Sequence, residues 1–209
     1  MKTKDFVLNM IFILSVLIIY ALFPVKDLFQ QTVVMFVFFG IIPIIYNKFI
    51  LKNDFSVFAL KVGKWKQGLF WGGISVVVSG LLLFLGMYFF DYFKGYNIPE
   101  TIIYNFKSFI LYEILSVLPV IFLCDFLFRG FIVSVLKNKL GYWVIIVQAL
   151  LFLMLLLISG SFSPTIIPYL ISAPLAGLIV YKSESIFYSI IFQLIVLVVL
   201  DATIISLLK

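Results

Sequence analysis

Five residues able to do acid–base, ion-pair or nucleophilic chemistry lie inside apolar runs: Glu113, Cys124, Asp125, Arg129 and Asp201. An ionisable side chain is costly in lipid, so each should face protein or water. Three of them fall in one stretch, CDFLFRGF, residues 124–131. Asp125 and Arg129 are four apart, which on a helix puts them on one face. The plainest role for them is an internal ion pair that neutralises both groups and anchors one end of the helix. Glu113 lies eleven residues before Cys124. That is close to three whole turns, so a regular helix turns Glu113 the same way, nearer the other surface. Glu113 and Asp201 could each instead simply reach that outer interface.

The chain has no histidine and one cysteine, Cys124. No Ser–His or Cys–His pair can therefore be assembled, and no imidazole is there to shuttle a proton near neutral pH. A lone cysteine excludes an intramolecular disulfide and a Cys-rich metal site. Cys124 is a poor nucleophile, because a thiol in apolar surroundings is inert and Asp125 has the closer claim on Arg129. Asp125 and Asp201 could form an aspartyl-protease pair only if they met, and the expected topology sets them toward opposite faces.

The elements that must position these residues are membrane helices. Of the 209 residues, 65% are hydrophobic and 11% charged, against about 25% charged in a soluble domain. A single integral membrane domain over 1–209 is expected. Apolar runs long enough to cross a bilayer fall at 6–24, 31–47, 69–90, 106–136, 142–159, 164–181 and 185–207. The fold class is all-α, a polytopic bundle of about seven helices. An eighth segment could hide in the basic loop 51–66, which reads equally as a connector or as a helix lying on the membrane surface. Pro119 should kink the fourth span, and the N-terminal run reads as a retained first helix. Gly68 with Gly72, and Ala173 with Gly177, are small-residue pairs that predict close helix packing.

The net charge of +6 comes mostly from lysines. Lys2, Lys4, Lys48, Lys52, Lys61, Lys64, Lys66, Lys137, Lys139 and Lys182 fall on one side of a seven-helix topology. Lys26, Lys94, Lys107 and Lys209 fall on the other. The positive-inside rule then places the N-terminus in the cytoplasm and the C-terminus outside. Such a charge pattern speaks for anionic lipid contact rather than nucleic-acid binding. Abundant Phe and Ile with a single Arg suit an AT-rich bacterial genome, so the expected location is a bacterial cell membrane.

CDFLFRG resembles the first signature of the CPBP family, the intramembrane proteases related to the CAAX prenyl endopeptidase and to bacteriocin self-immunity proteins. That signature is Glu-Glu-x-x-x-Arg, often continuing to Phe-Arg-Gly. Arg129 and Gly130 match it, while Cys124 and Asp125 stand where the two Glu belong. In the second signature, Phe-x-x-x-His, Phe152 is in place and Leu156 takes the His position. The third, on the last helix, has a lead-in that Gly177, Tyr181, Lys182 and Ser185 follow. Gln193 then stands at the His position and Leu197 at the Asn position. The resemblance covers about 105–205 and implies a CAAX-protease-like helical core.

The family's chemistry needs a carboxylate and histidines to activate a water, or to hold a metal that does so. Cys124, Leu156, Gln193 and Leu197 remove those parts, so no catalytic residue, metal or cofactor is assigned. The expectation is a pseudoprotease with a polar cavity around Asp125, Arg129, Gln193 and Glu113. It would act as a scaffold or regulator that binds a membrane or envelope protein, or a peptide, besides the lipid bilayer. Binding surfaces would be lipid-facing helices, the basic loop 51–66 or the outer loop DYFKGYNIPE. The alternatives are bacteriocin self-immunity and an active endopeptidase with a non-standard site.

Overall fold

The computed structural model describes residues 3–90, 96, 98–161 and 163–208. The regular structure of these residues is entirely helical. Six helices are long and apolar enough to cross a membrane. They are α1 (Asp5–Leu22), α2 (Phe29–Leu51), α3 (Trp65–Phe89), α4 (Phe106–Leu140), α6 (Pro164–Ser183) and α7 (Ile186–Leu207). Between α4 and α6 lies a shorter apolar helix, α5 (Trp143–Ile158), of 16 residues. The seven expected spans each fall on one of these helices, and the chain is a multi-pass membrane protein with a helical bundle. Residues 91–95 and 97 of the loop DYFKGYNIPE lie outside the described residues.

Helix α6 is central, packing on α3, α5, α7 and the middle of α4. The sequence shows why α6 and α5 can come so close. The Gln148 side chain of α5 donates from Nε2 to the Ala173 carbonyl at 2.7 Å and to Ile145 O at 3.1 Å. A Cβ on Gly177 would stand 2.5 Å from that same Nε2. Ala173 and Gly177 thus make the expected close contact. Gly68 and Gly72 behave differently: Gly68 lies under the ring of Tyr188, whereas Gly72 has nothing within 4 Å. Only the first of that pair packs.

Helix α4 is not a uniform helix. Pro119 has no N–H to give to the carbonyl four residues back, and α4 absorbs this by widening to π geometry just before it. The π turn covers Glu113–Val117, and the Leu118 N–H donates five residues back, to Glu113 O. A second π segment runs from Asp125 to Ile132, and all eight of its residues are buried.

The loop 51–66 is neither an eighth crossing nor a surface helix. Phe55–Phe58 forms one 3-10 turn that folds back under the bundle. Phe58 is wholly buried, its ring stacked on Phe126 at 4.3 Å and on Phe131 at 5.9 Å. Gly130 makes this possible, since a Cβ there would stand 2.6 Å from the Phe58 carbonyl oxygen.

The loop is then tied to the turn between α6 and α7. Lys64 N–H donates to Ser183 O at 2.8 Å, and Ile186 N–H donates to Ala59 O at 3.1 Å. The Glu184 carboxylate accepts from Lys61 at 3.2 Å and from Lys64 at 2.7 Å. These lysine hydrogen bonds hold Glu184 below its ordinary carboxylate value. At the same end, Lys139 lies 4.4 Å over the Phe6 ring, and Lys182 donates to the Tyr142 hydroxyl at 2.8 Å. The starts of α1, α3, α5 and α7 and the ends of α2, α4 and α6 therefore share one basic end of the bundle.

Candidate functional site

The ion pair anticipated on α4 is present and has a third member from α7. Asp125 and Arg129 are 0% and 1% exposed. Asp125 Oδ1 lies 3.2 Å from Arg129 Nη1 and accepts from Gln193 Nε2 at 2.8 Å. The same Gln193 amide reaches Ser189 Oγ at 3.2 Å and Ser189 O at 3.3 Å, which fixes its orientation. The guanidinium carbon of Arg129 lies 5.5 Å from the Phe152 ring centre and 5.9 Å from that of Phe128. Stacking of this kind partly replaces the water that burial removes. Asp125 Oδ2 and Arg129 Nε have no hydrogen-bond partner.

A wholly buried ion pair gains only when its geometry is good and its remaining valences are met. Here Asp125 Oδ2 and Arg129 Nε are open, while Asp125 Oδ1 is met by both Arg129 and Gln193. What the arrangement can do chemically follows from that. The one carboxylate of the signature is bonded through Oδ1 to its own neighbours and is fully buried, so it is closed off from bulk water. Leu156 is buried in the same apolar cluster as Phe152 and Cys124. Leu197 packs with Val117 and Ile121. Both positions are filled with hydrocarbon and offer no lone pair. Cys124 is buried and unpaired by disulfide.

The metal that the resemblance allows for does not fit this donor set. Among the described residues no three His, Cys, Asp or Glu side chains converge. The groups that meet Asp125 are the Arg129 guanidinium, the Gln193 amide and the Ser189 hydroxyl, and none is a usual zinc ligand.

Glu113 does not join this layer. It faces Asp201 on α7 instead. The expected alignment with Cys124 assumed 3.6 residues per turn throughout, and the π turn at Glu113–Val117 inserts extra backbone that rotates the register. Glu113 and Asp201 are each 4% exposed, and Asp201 accepts from the Tyr96 hydroxyl at 2.5 Å. Asp201 is eight residues beyond Gln193, so this second layer lies about 12 Å farther along α7. Helices α4 and α7 thus share two polar layers: Asp125, Arg129, Gln193 and Ser189 near the basic end, and Glu113, Asp201 and Tyr96 near the other.

Several contributors were not singled out by sequence. Ser189 is one turn before Gln193, a spacing that could have marked it. Gln148 is a polar residue in an otherwise apolar span, opposite a small-residue pair, which was a readable signal. Phe58 and Tyr96 come from loops and carried none.

The lead-in to α7 has structural work in each of its residues. Gly177 admits Gln148. Tyr181 packs on Tyr142 at 4.7 Å, and Lys182 bonds the Tyr142 hydroxyl. The Ser185 hydroxyl accepts from Phe187 N–H at 3.3 Å and caps the start of α7.

No curated protein and no solved structure matches the chain. Residues 106–199 match the model of one family, described as Type II CAAX prenyl endopeptidase Rce1-like. Those residues are the ones that bring the α4 signature, α5, α6 and the Gln193 region of α7 into one buried layer. Over residues 106–199, therefore, the chain is similar to the Rce1-like family of type II CAAX prenyl endopeptidases.

Proposed function

We propose that this chain is a pseudoprotease: it keeps the family's helical frame without a working site, and serves as a membrane scaffold that binds another membrane or cell-envelope protein. One observation carries the reading. The only carboxylate of the signature, Asp125, is fully buried and held by Arg129 and Gln193. A general base must come within hydrogen-bond reach of the proton it takes, and be free to take it. Leucines at 156 and 197 leave no second group to share that work.

The single domain 1–209, with its core over about 105–205, is placed in a bacterial cell membrane with its lysine-rich end in the cytoplasm. The clustering of Lys61, Lys64, Lys139 and Lys182 at one end of the bundle supports that orientation.

The test is purification of the tagged protein from its own membranes in mild detergent, paired with a cleavage assay on co-reconstituted membrane peptides. One stoichiometric partner and no cleavage are the expected results. Cleavage that Asp125→Asn abolishes would overturn the reading.

A further inference from the structure

At the basic end of the bundle, a small open recess lies beside the loop that carries Phe58. Its polar lining is Ser56, Lys61, Ser134, Lys137, Tyr181 and Glu184. Val133 and Val180 form its apolar floor. The lining comes from three separate parts of the chain: the 3-10 turn, the end of α4 and the end of α6.

The charges in the recess do not cancel. Glu184 is the one acid of the lining, and its two oxygens are taken by Lys61 and Lys64. Two lysines on one carboxylate leave a positive charge over. Lys137 adds another, since it makes no ion pair with any described residue. The hydroxyls of Ser56, Ser134 and Tyr181 make no hydrogen bond to the described residues either. Free hydroxyl donors beside an excess of ammonium charge are what a phosphate group requires: several oxygens to satisfy and a negative charge to neutralise. The recess sits where the apolar spans end and the basic loops begin, which is the depth of lipid headgroups.

We propose that this recess binds the phosphate of an anionic phospholipid headgroup, with Lys137 as the charged contact and the hydroxyls of Ser56, Ser134 and Tyr181 as hydrogen-bond donors. This inference does not depend on the pseudoprotease reading.

Native mass spectrometry of the full chain released from mixed phosphatidylcholine and phosphatidylglycerol tests it. One phosphatidylglycerol per chain should be retained. Lys137→Ala should lower its occupancy roughly five-fold, the effect of one lysine at an anionic surface. Ser134→Ala combined with Tyr181→Phe should lower it by a smaller factor. Lys48→Ala removes a basic side chain of the same end that does not line the recess, and should leave occupancy unchanged. Equal losses from Lys48→Ala and Lys137→Ala would reduce the effect to general charge attraction and overturn the proposal. Displacement of the lipid by millimolar glycerol phosphate, with no dependence on acyl chains, would assign the recess to a soluble phosphate and overturn the lipid assignment. All of these substitutions are at least partly solvent-facing, and a size-exclusion profile matched to wild type confirms folding in each.

Discussion

The two polar layers between α4 and α7 are built on the same pair of helices and balance charge in opposite ways. The Asp125 layer joins an acid to an arginine and an amide. The Glu113 layer sets two acids together with a phenol. Both are buried, so water does not explain the difference. The first belongs to the signature and is charge-balanced within the layer. The second lies outside the signature, and no basic side chain among the described residues is paired with its two acids. The arginine at the signature position therefore marks the charge-balanced part of the interface.

The largest expected effect lies at Arg129. Arg129→Met leaves Asp125 buried without its partner and should destabilise the fold by about 3–5 kcal/mol. The double variant Arg129→Met with Asp125→Leu should return to within about 2 kcal/mol of wild type, because removing a whole buried pair is often near neutral. Thermal unfolding in a single detergent measures both. A double variant as damaged as either single one would show that the two side chains do not act as a pair. Gly130→Ala should cost about 1–3 kcal/mol by forcing Phe58 off the signature helix, and trypsin should then cut the 51–66 loop faster. Glu113→Gln sharpens the contrast from the other side. An amide can donate to Asp201, so the variant should stay within about 1 kcal/mol of wild type. A loss as large as that of Arg129→Met would erase the distinction between the layers.

The smallest effect belongs to the clamp at the basic end. Glu184 is held below its ordinary value of 4.5 by Lys64 and Lys61. A lowered acid stabilises the fold above its unfolded value, and that share is lost as the pH falls through the lowered folded value. Melting temperature should thus drop a little more for wild type than for Glu184→Gln between pH 5 and acid conditions. The group is partly exposed, so the difference is small. Identical pH profiles would remove the clamp from the account.

Much of the frame was legible because long apolar runs and lysine-rich loops are unambiguous. The seven helices follow from them, and the link from Gln193 to Asp125 was implied once the α4 and α7 patterns were set side by side. Glu113 was misplaced for a definite reason. Its register was counted at 3.6 residues per turn through a segment where Pro119 forces a π turn. Proline was visible in the sequence, but whether α4 would kink or widen depended on its packing against α7. The 51–66 loop stayed open between connector and surface helix because its aromatic and basic residues suit both. Its course was decided by Gly130, eighty residues away, where the missing side chain lets the Phe58 backbone in. Gly72 shows the converse: small-residue spacing permits a contact without creating one.

Helix α5 is short for a membrane crossing. Its 16 residues span about 24 Å at 1.5 Å per residue, while a bilayer's hydrocarbon core is about 30 Å thick. Ile146, Leu150 and Leu157 on this helix are exposed on the bundle surface, so lipid must meet it directly. Tilting would only shorten its reach, so the mismatch is met by local thinning of the bilayer or by flanking residues that snorkel. Phe152 ties that same helix to Arg129. Hydrophobic mismatch is thus concentrated on the flank beside the signature layer. A thinner bilayer should therefore suit this flank better than a thick one.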